Sequence, residues 1–200
     1  MRLYYAPGAC SLAVHIVLRE TGLPFALDLV DMRTRTTASG RAFSAVNPKN
    51  SVPAVELDSG EILTEVAALL PWIAEQGPEA GLLPPAGTLE RFRVAEQLNF
   101  IATEVHKGFG PLWLRPSEAV RAQTIEKLNA RLESLDRQLA RSEHLAGETY
   151  TVVDPYAFTI LRWASIHKVE LTAFPRLQAY LAKVGARRAV REALAAEATG

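Results

Sequence analysis

The sequence predicts a mixed α/β domain over residues 1–80 and an all-helical domain over residues 88–200. Three observations carry this. Short strand-like and helix-like pieces alternate as far as Gln76, in the order β-α-β-α-β-β-α. The next stretch, Gly77 to Gly87, is rich in glycine and proline and reads as a linker. Beyond it, Ile125, Leu128, Leu132, Leu135 and Leu139 recur at alternating steps of three and four, one apolar stripe at helical period.

Leu3-Tyr4-Tyr5-Ala6 reads as the first strand, ended by Pro7-Gly8. Ser11 to Thr21 reads as a helix, stopped by Gly22 and Pro24. Phe25 to Val30 is the second strand, and the intervening helix implies a parallel pair with a right-handed crossover. A helical patch from Ser39 to Val46 ends at Asn47-Pro48. Pro53 to Leu57 and Glu61 to Leu63 flank Asp58-Ser59-Gly60, a hairpin signal. Thr64 is placed to cap a helix from Glu65 to Gln76. Pro71 lies deep in that helix, where proline costs about 3 kcal/mol, so a kink or a break is expected. In the second domain, Thr151-Val152-Val153-Asp154 has capping-box spacing, in which hydroxyl and carboxylate each take an N–H of the opposing residue.

Composition narrows the function. Hydrophobic residues make up 48% and charged residues 22%, a balance that argues against a disordered or collagen-like chain. Lys and Arg total 22 and Asp and Glu total 22. The net charge of zero gives no reason to expect nucleic acid or an anionic membrane as partner. The apolar stretch Val66 to Ala74 is interrupted by Pro71 and falls far short of the roughly 20 residues of a spanning helix. The N-terminus lacks the apolar core of a secretion signal, and one cysteine cannot form an internal disulfide. The reading is a cytoplasmic protein.

Cys10 follows a strand and a Pro-Gly turn at the start of a helix. Unpaired N–H groups and the helix dipole there favour thiolate and lower a thiol pKa. The same residue also reads as a small buried core side chain. Ala13 stands three residues on, so there is no Cys-x-x-Cys pair and a resolving thiol has to come from outside. Val52-Pro53 reads either as strand punctuation or as a cis bond presenting the Val52 backbone to an extended peptide. Thr64-Glu65 reads either as a plain helix cap or, with the orphan N–H groups after it, as a carboxylate site. Asn99, Thr103 and His106 share a helical face by spacings of four and three, with Glu104 and Lys107 alongside. The histidines show no ligand spacing with each other or with Cys10, so no metal is expected. Neither phosphate-binding glycine motif occurs, so no nucleotide is expected.

Several stretches, in this order and with these gaps, resemble one family. They are Leu3-Tyr4-Tyr5-Ala6-Pro7-Gly8-Ala9-Cys10-Ser11-Leu12, Ala45-Val46-Asn47-Pro48-Lys49, Val52-Pro53, Leu63-Thr64-Glu65, Leu98 to Phe109, and Thr151 to Asp154. Over nearly its whole length the chain is similar to the glutathione transferases of the bacterial beta class. That resemblance implies a thioredoxin-like, glutathione-binding N-terminal domain, an all-α C-terminal domain and a homodimer. It implies conjugation of glutathione thiolate to small electrophiles, a detoxification reaction with glutathione as co-substrate and no separate cofactor. It implies Cys10 and His106 as catalytic groups, with Cys10 able to form a mixed disulfide. Val52, beside a cis Pro53, would pair with the cysteinyl part of glutathione. Glu65 and the N–H of Val66 would hold the γ-glutamyl end, and Arg35 would stand near the glycyl carboxylate. Asn99 and His106 would reach the ligand from the helical domain, Thr103 and Val105 complete the binding set, and Glu104 would touch glutathione on the other subunit. Trp163 and His167 would line the electrophile pocket.

Three positions depart from the family pattern. Ser51 stands where Gln is usual, Asn50 where Gly is common, and Val66 where Gly or Ser is usual. Valine keeps only its backbone N–H, and one lost charge-assisted hydrogen bond costs about 1.5–3 kcal/mol. Weaker glutathione binding or a relaxed thiol preference is therefore expected. Two other activities fit the same residues: glutathione-dependent thiol–disulfide reduction at Cys10, and non-catalytic binding by a transferase-like protein.

Overall fold

In the computed structural model, which describes residues 1–198, the first strand β1 (Arg2–Tyr5) lies at the centre of a five-stranded sheet. The helix α1 (Ser11–Thr21) follows and ends at Gly22, whose φ of 67° is the left-handed conformation a non-glycine residue resists. The strand β2 (Ala26–Asp31) returns parallel to β1, with Leu3 opposite Leu27. The strands β4 (Ala54–Glu56) and β5 (Ile62–Thr64) lie antiparallel on the other side of β1, and with β3 (Thr36–Thr37) beside β2 the order is β3-β2-β1-β4-β5. The strand β3 (Thr36–Thr37) is absent from the sequence reading, because two residues are too few for any alternation to show.

Three local expectations need correction. The patch from Ser39 to Val46 is helical only in α2 (Phe43–Val46). Ser39 instead donates its hydroxyl to Asp28 at 2.6 Å, and Gly40 turns with φ 86°. Thr64 is the last residue of β5, and Glu65, with φ 72°, occupies the cap position of α3 (Val66–Gln76). That helix runs unbroken past Pro71. Leu69, Leu70, Ile73 and Ala74 are buried there and α3 packs on α1, so apolar packing offsets the one lost backbone bond.

Contacts divide the chain into a unit of Met1–Leu83 joined by the segment from Arg187, and a unit of Pro84–Ala186. In the first, the last helix α10 (Arg188–Ala198) packs on α1. The sequence reading grouped this helix with the helical domain because order along the chain is all that composition reveals. The guanidinium of Arg187 closes the join, with Nε 2.6 Å from Glu20 Oε1 and a second nitrogen 3.0 Å from Oε2.

The second unit is helical. It comprises α4 (Leu89–Phe100), a π-helical turn (Ile101–His106), α5 (Lys107–Trp113), α6 (Glu118–Gln138), α7 (Val153–Leu161), α8 (Trp163–Ile166) and α9 (Pro175–Gly185). Leu128, Leu132 and Leu135 of the predicted stripe are buried. Every residue of α7 is buried. Asp154 anchors that helix by accepting from the Thr151 N–H at 2.7 Å and the Tyr180 hydroxyl at 2.7 Å. Only half of the capping box forms, since the Thr151 hydroxyl accepts from Val153 N at 3.3 Å rather than from Asp154. Among the described residues no helix is long and apolar enough to cross a membrane.

Candidate active site

In the first unit, β1 delivers the chain to a turn in which Ala9 N donates to Ala6 O at 3.1 Å and Gly8 adopts φ 72°. The Ser11 hydroxyl stitches the same turn through both backbone groups of Ala6, each at 3.2 Å. Cys10 therefore stands at the cap position of α1, half-buried and outside any disulfide. Its thiol donates to the Val52 carbonyl at 3.4 Å, and the Val52–Pro53 bond is cis. The structure thus brings together two positions that sequence spacing could not connect.

A second cluster lies where β5 meets α3. The Lys49 ammonium is 2.6 Å from Glu65 Oε1 and 3.0 Å from Thr64 Oγ1. Glu65 itself is exposed, whereas the Val66 side chain is buried. Arg35 donates to the Asn50 carbonyl at 2.8 Å, which ties it to the segment leading into Val52. The departure at Asn50 has a backbone explanation. Its φ is 56°, a conformation glycine adopts freely and asparagine tolerates best among the others. Ser51 is exposed, and its carbonyl accepts from Asn47 Nδ2 at 2.7 Å. Lys49 belongs to this cluster although nothing in the sequence assigns it a role. The only signal was its place beside the Asn47-Pro48 turn.

In the second unit the π-turn carries Thr103 to His106. A π-turn winds wider than an α-helix, so the face argument built on spacings of four and three does not hold across it. Thr103 Oγ1 donates back to the Asn99 carbonyl at 3.0 Å. Glu104 pairs with Arg131 Nε at 2.8 Å, and both line a hollow of about 250 Å³ with Thr103 and Lys107. Val105 is buried, with 1% of its surface exposed. His106 Nδ1 is 2.8 Å from the Tyr156 hydroxyl, and its ring meets Trp163 edge-on at 5.0 Å.

Trp163 continues an aromatic cluster. Its ring lies 6.0 Å from Phe109 and 5.4 Å from Trp113, and Trp113 packs edge-on to His167 at 4.3 Å. His106, Trp163 and His167, three of the sequence-predicted residues, thus belong to one aromatic assembly. Burial, and secondarily Arg121, pushes His167 below its ordinary pKa and favours the neutral ring. A hollow of about 480 Å³ between α4, α6 and the loop after α6 contains none of the predicted residues.

The chain thus holds a thiol-bearing α/β unit and a helical unit, each with its own cluster of polar and aromatic side chains. The family model for the glutathione S-transferase N-terminal domain matches residues 8–76, and that for the C-terminal domain matches residues 100–187. The chain belongs to the glutathione S-transferase family. Glutathione S-transferase GstA of Escherichia coli O157:H7 is 40% identical over 199 residues, 98% of each chain. The solved glutathione S-transferase of a sphingomonad, complexed with glutathione, superposes with a TM-score of 0.96 at 43% identity, over 100% of both chains. The beta-class glutathione S-transferase of Sphingomonas chungbukensis does so with 0.94 at 43%, over 98% of both.

Proposed function

We propose that this protein conjugates the thiolate of glutathione to small electrophiles. The observation that carries the reading is the Cys10 thiol at the entry of α1, 3.4 Å from the Val52 carbonyl. A thiol and a peptide edge side by side are what a short cysteinyl peptide needs for alignment. The glutathione held by the sphingomonad relative supports the ligand's identity. In this reading Val52, with Pro53 behind it, pairs with the cysteinyl part. Arg35 faces the glycyl carboxylate, and Glu65 with the Val66 N–H takes the γ-glutamyl end. Asn99, Thr103, Val105 and His106 complete the binding set. Trp163 and His167 receive the electrophile.

The chemistry is a displacement. Glutathione loses its thiol proton to solvent, and the sulfur attacks the electrophilic carbon. A carbon–sulfur bond forms while the leaving group departs with its bonding pair. The positive end of α1 stabilises negative sulfur, and His106, oriented by Tyr156, is the second catalytic group. Glutathione is the co-substrate and no further cofactor takes part. The setting is the cytoplasm, where glutathione is kept reduced.

The reading includes a homodimer in which Glu104 reaches the partner's ligand. Leu89 and Phe92, three residues apart on α4, are 65% and 66% exposed and form an apolar face that a second copy would cover. Light scattering that returns a monomer-sized particle at micromolar concentration would remove the dimer. Titration calorimetry with millimolar glutathione tests the core of the proposal. Absence of both heat and thermal shift would sink it. A second reading, thiol–disulfide exchange, is favoured by the half-buried position of Cys10 and by its being the sole cysteine of the chain.

A further inference from the structure

The ion pair between Lys49 and Glu65 has no role in the reading above. The Lys49 ammonium touches side chains of two consecutive residues, Thr64 and Glu65, at the junction of β5 and α3. An ammonium has three N–H donors and no acceptor. These contacts occupy two, and Lys49 has no further partner among the described residues. The junction is also a helix start. The Glu65 carbonyl takes the N–H groups of Ala68 and Leu69, while those of Val66 and Ala67 fall in the first turn, which has no intrahelical acceptor. Val66 brings no side-chain donor to this place, and it is buried.

We infer that Lys49 is a specificity-determining residue that holds the α-carboxylate of the ligand's γ-glutamyl end, supplying the donor that Val66 lacks. The inference rests on the proposed glutathione site. The Glu65 and Lys49 side chains are 67% and 55% exposed. Such a pair is weak in water and opens at small cost. A simple amine arriving at Glu65 displaces Lys49 and leaves it without a counter-charge. An amino-acid end behaves differently, because its ammonium takes Glu65 while its carboxylate gives Lys49 a new partner. Charges then alternate along the site, and the helix N–H groups add to the hold on the carboxylate. The site therefore selects the zwitterionic end over an amine alone.

The test compares glutathione with its analogue lacking the α-carboxylate, 4-aminobutanoyl-cysteinylglycine, by calorimetry on the full chain. Lys49→Met should weaken glutathione binding by about tenfold, the scale of one charge-assisted hydrogen bond. It should leave the analogue's affinity equal or higher, and Lys49→Arg should restore most of the loss. Equal loss for both ligands, or loss for neither, overturns the assignment. If the unaltered protein binds no glutathione, the proposed function itself falls. If it binds and Lys49→Met matches it, only the role of Lys49 falls. Lys49 is exposed, and an unchanged melting temperature shows that the variant is folded.

Discussion

His15 Nδ1 lies 3.0 Å from Glu197 Oε1, with both side chains buried and the two residues 182 positions apart in the chain. Arg19 Nε donates to His15 Nε2 at 2.9 Å, so the partners assign the ring proton to Nδ1. The other carboxyl oxygen of Glu197 accepts from Gly8 N at 3.3 Å. The last helix is thereby fastened both to α1 and to the turn that presents Cys10.

Glu197→Ala removes the acceptor of one buried donor, His15 Nδ1–H, and one contact of the exposed Gly8 N–H. The orphaned His15 donor costs about 1–3 kcal/mol, so the variant should lose about 2 kcal/mol of stability. Glu197→Gln keeps an oxygen for His15 and should lose less. Urea unfolding at unchanged m-value measures both. A loss below about 1 kcal/mol for the alanine variant would mean that apolar packing of α10 alone holds the join.

Much of the first unit was legible because its signals are local. Gly22 ends α1 through its own backbone freedom, and the Asp58-Ser59-Gly60 turn sits between two strands in register. What escaped was long-range or too short to repeat. The Glu197 contact with Gly8 spans the whole chain, and the Lys49 contact with Glu65 depends on how the loop before β4 folds back. The π-turn at Ile101–His106 was invisible because its winding leaves no mark in residue spacing. Cys10 and Val52 were each singled out, yet only the fold shows that their atoms meet.

Stability should depend on pH through His167. Burial is the larger cause and Arg121 the smaller, and both hold its pKa below the ordinary 6.5. The unfolded chain therefore binds more protons than the folded one over the range just below 6.5. Stability is full above about pH 6.5 and falls as pH drops through it. Among the described residues the buried His167 Nε2 has no hydrogen-bond partner, which adds to the cost of a charged ring. Melting temperatures of the unaltered protein and of His167→Phe, taken between about pH 7.5 and 5, should separate: the variant's slope should be shallower. Parallel slopes would place the acid sensitivity elsewhere.

Val66→Ser restores a hydroxyl at the start of α3. Taken alone, such a donor raises affinity by up to roughly tenfold. If Lys49 already holds the ligand's carboxylate, the gain in the unaltered background should be smaller, and it should reach the full factor only with Lys49→Met. Val66 is 6% exposed, so the change also removes buried apolar surface, and a loss of about 1–2 kcal/mol in stability should accompany it. Equal gains in both backgrounds would show that the two donors act independently.

Cys10 decides between conjugation and disulfide exchange. The chain holds no second cysteine, so a mixed disulfide with glutathione cannot be resolved internally. Incubation with oxidised glutathione should therefore trap one glutathionyl group on Cys10, visible by mass spectrometry and reversed by external thiol. The exchange balances: the Cys10 thiolate bonds to one sulfur of the disulfide, and the other leaves as glutathione thiolate. Cys10→Ala should abolish this. It should spare much of the conjugation of chlorodinitrobenzene, because the attacking sulfur there belongs to glutathione and the start of α1 remains. The thiol's bond to the Val52 carbonyl is lost, so a modest rise in the KM for glutathione should accompany the substitution. Equal loss of both activities would mean that one cysteine mechanism serves both reactions. Retained exchange in Cys10→Ala would remove Cys10 from the chemistry.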